Sequence, residues 1–227
     1  MKKSLLVLAV LSAFAPVLAQ AEAGDIVVRL RAASVSPDEK SKLGTTVATT
    51  ALAGTVLPGG VLTVDNNTIP ELDISYYVTK NIAVELILAT GTRHDVSIAK
   101  NTGTLGNQNL GSVNLLPPTL TAQWHFNPDQ TIDPYVGAGL NYTHSFDRSL
   151  KTTGGLPIHI DQNMFGVVAQ AGVDVNLGSG WLINADVKYV KMNTDVKLST
   201  TGGATWVKID DLDINPWVFG VGVGKKF

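Results

Sequence analysis

Hydrophobic side chains recur at every second position along most of this chain. At 219–224, Phe219, Val221 and Val223 alternate with glycines. Strict alternation predicts β-strands with one apolar face. Several of these segments are longer than the ~5–6 residues of a typical globular strand, and a tilted membrane strand needs about 9–11. The predicted strands are 25–36, 69–79, 81–97, 112–126, 133–147, 161–177, 181–198 and 206–227.

The connections between the predicted strands alternate in length. Short turns on one side and long loops on the other are the layout of an outer-membrane barrel. The sequence therefore predicts an all-β fold over residues 20–227, an eight-stranded antiparallel transmembrane β-barrel with short periplasmic turns and longer extracellular loops. The short connections are 79–81, 127–132 and 178–180, and the long ones are 37–68, 98–111, 148–160 and 199–205.

Residues 1–19 have the features of a secretory signal peptide. Lys2 and Lys3 precede an uncharged stretch at 4–19, which ends in small residues. Cleavage is expected after Ala19, with positions 21 and 23 as alternatives. A membrane anchor is less favoured because the apolar run is shorter than the ~20 residues of a spanning helix.

The alternation by itself fits two kinds of barrel. An exported soluble barrel of the lipocalin type points its apolar face inward, whereas a membrane barrel points it outward. The export signal, the C-terminal aromatic residue Phe227 and aromatic residues near strand ends favour the membrane barrel. Phe227 is expected to be the insertion signal. The aromatic residues near strand ends are Tyr76, Trp124, Tyr142, Tyr189, Trp217 and Phe219.

Composition and charge narrow the function. The 227 residues contain no cysteine, carry a formal net charge of −2 and are only 16% charged. Disulfides and Cys-ligated metal sites are therefore excluded, and a nucleic-acid partner is not expected without a basic surplus. We expect the mature chain to lie in the outer membrane of a Gram-negative bacterium. Its partners would be the outer-membrane lipid and lipopolysaccharide, periplasmic chaperones and the barrel-insertion machinery.

Charged residues on the face opposite the apolar one are expected to fill the lumen. Unpaired charges in a narrow interior are costly, so we predict ion pairs in a polar plug of the periplasmic half. An eight-stranded barrel is only just wide enough to be filled by its own side chains, which argues against an open aqueous pore. The charged residues with this parity are Arg29, Arg31, Glu71, Asp73, Glu85, Asp174, Asp186 and Lys188.

An apolar passage is predicted at the opposite end. Val56 and Leu57 belong to a stretch too apolar for an ordinary exposed loop, and we expect them to line a pocket with Ile87, Leu115 and Leu116. The alternative is that the apolar loop residues pack on each other above the membrane.

Two prolines interrupt a predicted strand. Pro117 and Pro118 cannot donate to a β-ladder, so pairing with 81–97 or 133–147 must be broken there. Unsatisfied backbone is tolerated at membrane depth only where it faces protein or a water-filled cavity. A lateral opening of the barrel wall is therefore predicted at this position, the alternative being a bulge that only bends the strand.

No catalytic, cofactor or metal site is predicted. The four histidines are not spaced as metal ligands, and we interpret them as interfacial or loop residues. His144 and Ser145 are adjacent, but neighbours on a strand point to opposite faces. The histidines are His94, His125, His144 and His159.

Seven stretches of the chain have a pattern seen in a known family: 81–86, 116–120, 122–124, 134–143, 171–174, 194–196 and 215–219. They resemble the outer-membrane protein W (OmpW) family, which includes alkane-uptake porins. The resemblance implies a monomeric eight-stranded barrel for passive uptake of small hydrophobic molecules, with a possible lateral exit. The chain departs from better-known members at two places. Lys188 replaces their inward tryptophan, and the C-terminus lacks their aromatic residue two positions before the end.

Two other functions stay open at this point. A structural or adhesion barrel with a filled core and binding loops is the main alternative, and a lipid-modifying enzyme is the less favoured one. No cofactor or energy source is expected for the uptake channel.

Overall fold

The computed structural model describes residues 22–90 and 92–227, so the predicted signal peptide at 1–19 lies outside the described residues. No helix in the described part is long and apolar enough to cross a membrane. Helix α1 spans Leu43–Val47. The strands are β1 (Ile26–Ser36), β2 (Val61–Val64), β3 (Asn67–Tyr77), β4 (Ile82–Ala89), β5 (Thr92–Ala99), β6 (Gln108–Leu116), β7 (Thr119–His125), β8 (Ile132–Asp147), β9 (Leu150–Lys151), β10 (Pro157–Ile160), β11 (Asn163–Gly178), β12 (Trp181–Lys191), β13 (Asn193–Leu198), β14 (Val207–Asp213) and β15 (Trp217–Lys226).

Eight strands close into an antiparallel barrel, which confirms the predicted fold. The order around the wall is β1, β3, β4, β7, β8, β11, β12 and β15. The barrel closes because β15 pairs with β1 and β8 pairs with β11. Closure leaves the wall without a free edge strand, as a spanning sheet requires.

The two faces of the wall have the polarity of a membrane barrel. Leu140, Phe165 and Val221 point outward and are 68%, 73% and 62% exposed, whereas Arg29 and Arg31 point inward and are almost completely buried. The predicted inward and outward parities are thus confirmed.

Four of the predicted strands are each divided into two. The segments 81–97, 112–126, 181–198 and 206–227 become β4 and β5, β6 and β7, β12 and β13, and β14 and β15. Alternation continues beyond each interruption, so the pattern alone did not reveal the breaks. Asn215 has a positive φ of 42°, and Pro216 lacks a backbone donor, which explains the division between β14 and β15.

The long connections are more ordered than predicted. Strands β10, β13, β14 and β9 form a separate sheet, while β6, β5 and β2 extend the barrel sheet beyond β8. Together with α1 they enclose the largest apolar cluster of the described residues. It includes Leu43, Leu62, Leu150, Ile158 and Val196. The extracellular end is therefore a folded cap with its own core.

Candidate functional site: an apolar cavity above a charged plug

The lower lumen is filled by paired charges, which we call the polar plug (Arg29, Arg31, Glu71, Asp73, Glu85, Asp174, Asp186 and Lys188). Arg29 binds Asp174 through two parallel hydrogen bonds, Nε–Oδ1 at 3.2 Å and Nη2–Oδ2 at 2.5 Å. Its Nη1 donates to Ser75 Oγ at 2.7 Å. Bidentate pairing fixes the guanidinium in the plane of the carboxylate.

Arg31 is the centre of the plug. Its guanidinium contacts Glu71 at 2.8 Å, Asp186 at 3.0 Å and also Asp73. Lys188 lies above it and bonds Glu71 and Asp186, both at 3.0 Å. The plug therefore has three bases among five carboxylates, and Arg31 is the base that most of those carboxylates share.

Glycines on β15 provide the room for this network. A Cβ at Gly220 would lie 2.6 Å from Asp186 Oδ1 and 3.3 Å from Arg31 Cδ. Glycine at this position of β15 therefore relieves crowding inside the small barrel.

Below the plug, His125 closes the periplasmic end. Its Nδ1 lies 2.7 Å from Asp133 Oδ2, and its ring packs against Tyr77 and Tyr135 with centroids 5.0 and 4.9 Å apart. His125 is fully buried. The interpretation of His125 as an interfacial or loop residue is therefore wrong. It follows Gln123 by two positions and so shares the inward parity of that strand.

Above the plug lies a cavity of about 120 Å³. Glu71 and Lys188 form its floor, and apolar side chains from the barrel and the cap form most of its walls. Ile87 and Leu115, two of the residues predicted for the passage, belong to the lining, and so does Pro117 of the predicted lateral opening. Other lining residues are Val35, Val64, Ile69, Val96, Val113, Met164, Val190, Met192, Val196 and Val218.

The remaining residues predicted for the passage lie elsewhere. Val56 is buried in the core of the cap, while Leu57 is 39% exposed. Leu116 and Pro118 are not among the cavity lining. The apolar residues of 37–68 therefore divide between the two expected roles, since Val64 lines the cavity and Val56 packs on its neighbours.

The proline pair interrupts one seam of the wall. Strand β4 pairs with β7 as far as Ile87 opposite Thr119, and β5 pairs with β6 from Thr92 opposite Leu115. No described residue between those two pairs has a partner across this seam. The interruption lies beside the cavity.

The other seam of the same segment is held together. The backbone N–H of Tyr142 donates to Pro118 O at 3.0 Å. Asn141 Nδ2 donates to Thr119 Oγ1 at 2.8 Å and to Pro117 O at 3.3 Å. Sequence reasoning gave Asn141 no role, although it has the inward parity of β8. The wall is thus continuous toward β8 and broken toward β4 and β5.

Comparison with known proteins identifies the family. The model of the OmpW family matches residues 22–227. Outer membrane protein W of Vibrio cholerae is 37% identical over 235 residues, and the alignment covers 100% of both chains. The chain belongs to the OmpW family. As in its relatives, which are outer membrane proteins and not enzymes, the barrel belongs to the outer membrane.

Solved structures of OmpW-like barrels are similar over nearly the whole chain. The crystal structure of OprG from Pseudomonas aeruginosa has a TM-score of 0.76 and 30% identity, covering 91% of this chain and 97% of that chain. The solid-state NMR structure of AlkL in DMPC bilayers has a TM-score of 0.66 and 25% identity, with 92% of each chain covered. The similarity therefore includes the extracellular cap as well as the barrel.

Proposed function

We propose that this OmpW-family barrel is a passive channel for small hydrophobic molecules. A solute enters the apolar cavity from the extracellular side and leaves sideways into the membrane at the Pro117–Pro118 interruption. The observation that carries the proposal is the position of the cavity, between a charged floor and a broken seam.

The lining supports an apolar solute. Burial of apolar surface is favourable by roughly 25 cal/mol per Å², and most side chains around the cavity are aliphatic. An apolar path that bypasses the lipopolysaccharide leaflet needs no cofactor or energy source, because the solute moves down its own concentration gradient.

The plug supports a lateral rather than an axial exit. Arg31, Lys188 and Glu71 are 4% exposed or less. Lys188 on β12 bonds Glu71 on β3, two strands beyond its neighbour, and Arg31 bonds Glu71 from the adjacent strand β1. An apolar solute would have to displace paired charges to continue downward, which is unfavourable. The seam between β4/β5 and β6/β7 presents no such barrier.

The test is to seal the seam. Replacing Pro117 with Val and Pro118 with Thr restores two backbone donors. In vesicles with lipopolysaccharide in the outer leaflet, we expect this double variant to fold but to take up an apolar fluorescent probe at nearly the protein-free rate. Pro134→Val, at the periplasmic end of β8, is the matched control and should retain the parental rate.

A second variant tests the floor. Lys188→Ala should alter leakage of polar solutes more than apolar uptake. If the folded double variant at Pro117 and Pro118 keeps the parental uptake rate, the solute does not leave the barrel at this interruption. If Lys188→Ala abolishes apolar uptake instead, the plug is part of the route. If vesicles with the parental protein take up the apolar probe no faster than protein-free vesicles, a structural or adhesion barrel is favoured.

A further inference from the structure

One polar group in the apolar wall of the cavity is free to meet a solute. His94 on β5 lines the cavity and is 4% exposed. Its Nδ1 lies 2.9 Å from the backbone oxygen of Asp65. A carbonyl oxygen only accepts, so Nδ1 carries the hydrogen. In the neutral ring Nε2 is then a bare acceptor, and no described residue donates to it.

The hydroxyl groups around the cavity are already used as donors. Thr92 donates to Leu115 O, Thr119 donates to Pro117 O at 3.2 Å, and Thr143 donates to Asn141 Oδ1 at 2.8 Å. Thr194 Oγ1 points to Asp195 O at 3.5 Å. These hydroxyls stabilise the wall and leave little donor capacity for a solute.

The amide and ammonium donors are used in the same way. The Nδ2 of Asn141 bonds the proline segment. The Nζ of Lys188 bonds Glu71 and Asp186. The free hydrogen-bonding capacity of the cavity is therefore that of an acceptor. His94 Nε2 provides it in the aliphatic wall, and Glu71 Oε2 provides it at the floor, since both bonds to Glu71 from Arg31 and Lys188 use Oε1.

We infer that the cavity selects apolar molecules that carry one hydrogen-bond donor, such as alcohols and phenols, with the hydroxyl donating to His94 Nε2. This inference rests on the proposed uptake function and names its substrate class. Ethers, ketones and carboxylates need a donor that the cavity does not offer. An ammonium group would lose its hydration within the aliphatic wall, which is costly.

The experiment compares three solutes of similar size: octane, 1-octanol and methyl octyl ether. Uptake is measured at pH 8 into lipopolysaccharide-coated vesicles with and without the full-length refolded protein. The protein should accelerate 1-octanol more than the other two solutes. One neutral hydrogen bond predicts a preference of roughly threefold to tenfold.

Two variants assign the preference to His94. His94→Leu removes the acceptor and should reduce the acceleration of the alcohol to that of the alkane. His94→Gln supplies a donor as well as an acceptor, so the ether should gain and the alcohol-to-ether ratio should fall toward one. His159→Leu is the matched control, because His159 stacks on Trp206 outside the cavity, and it should leave all three rates unchanged.

The possible results separate this inference from the proposed function. If the protein accelerates none of the three solutes, the uptake function itself fails. If it accelerates all three equally, uptake stands and the selectivity is wrong. Two results would show that His94 does not select the solute. The first is a preference for the alcohol that persists in folded His94→Leu, and the second is an unchanged alcohol-to-ether ratio in His94→Gln. The parental ratios and the Gln variant decide the question if the Leu variant does not fold.

Discussion

The lower and upper halves of the lumen are built from the same strands but have opposite interiors. The lower half is packed with buried charges, and the upper half is apolar and partly empty. Going up four of the eight wall strands, the inward residue changes from charged to aliphatic in a single step. The steps are Arg31 to Ala33 on β1, Glu71 to Ile69 on β3, Glu85 to Ile87 on β4 and Lys188 to Val190 on β12.

This difference determines what each half tolerates. A buried charge network is favourable only when it is nearly complete, since a single missing partner leaves another charge unpaired in a low-dielectric interior. An apolar wall around a cavity forgoes some packing contacts but exposes no unsatisfied charge. The plug is therefore suited to a seal, and the cavity is suited to exchange one apolar solute for another.

The largest expected effect comes from removing the centre of the plug. In Arg31→Met, Glu71, Asp73 and Asp186 lose their shared partner and repel one another. The free energy of unfolding should fall by about 3–5 kcal/mol, measured by urea titration of the barrel in lipid vesicles at pH 8.

A substitution in the upper half provides the contrast. Met164→Leu changes the shape of the cavity wall but not its polarity, and it should change the free energy of unfolding by less than about 1.5 kcal/mol. Similar losses for Arg31→Met and Met164→Leu would mean that the two halves do not differ in the way described.

The next effect tests the outer face of the same wall. Val221 points to lipid from the middle of β15, opposite Ala32 and Ala185 in the neighbouring strands. Val221→Arg should destabilise the barrel by about 2–4 kcal/mol near the bilayer midplane, whereas Val221→Leu should be nearly neutral. Heat-dependent migration on gels gives the folded fraction. A fully folded Val221→Arg barrel, stable in water without detergent, would contradict the lipid face.

Much of the lower half could be predicted from the sequence. Alternation with period two placed Arg31 and Lys188 on one face, and the size of the barrel required their charges to pair. The same parity would have placed His125 inward, because it continues the series of Thr121 and Gln123. That signal was present in the sequence and was not used.

The upper half was less predictable because long-range pairing builds it. The chemistry of Pro117 and Pro118 predicted a broken ladder, but which of the two seams is broken depends on Asn141, which bonds the prolines toward β8. The division at Met192 depends on Asn215, whose Oδ1 accepts from Met192 N at 3.1 Å. Local alternation contains no information on such partners, nor on which strands form the cap.

The smallest expected effect concerns the cap and its half-buried His159. His159 on β10 stacks on Trp206 with ring centroids 4.0 Å apart. Partial burial, and then the positive charge of Arg148, lower the pKa of His159 below its usual 6.5. The unfolded chain therefore binds this proton at a higher pH than the folded cap does.

The stabilisation by neutral His159 should accordingly be complete above pH 6.5 and decline as the pH falls, because protons favour the unfolded chain. We expect tryptophan fluorescence in thermal melts to show a slightly lower midpoint at pH 5 than at pH 7.5. His159→Phe keeps the stack on Trp206 and removes the titration, so its midpoint should depend less on pH. Since plug charges such as Arg31 and Asp174 are present in both proteins, only the cap contributes to this difference. An identical pH dependence in the two proteins would show that His159 does not couple protonation to the stability of the cap.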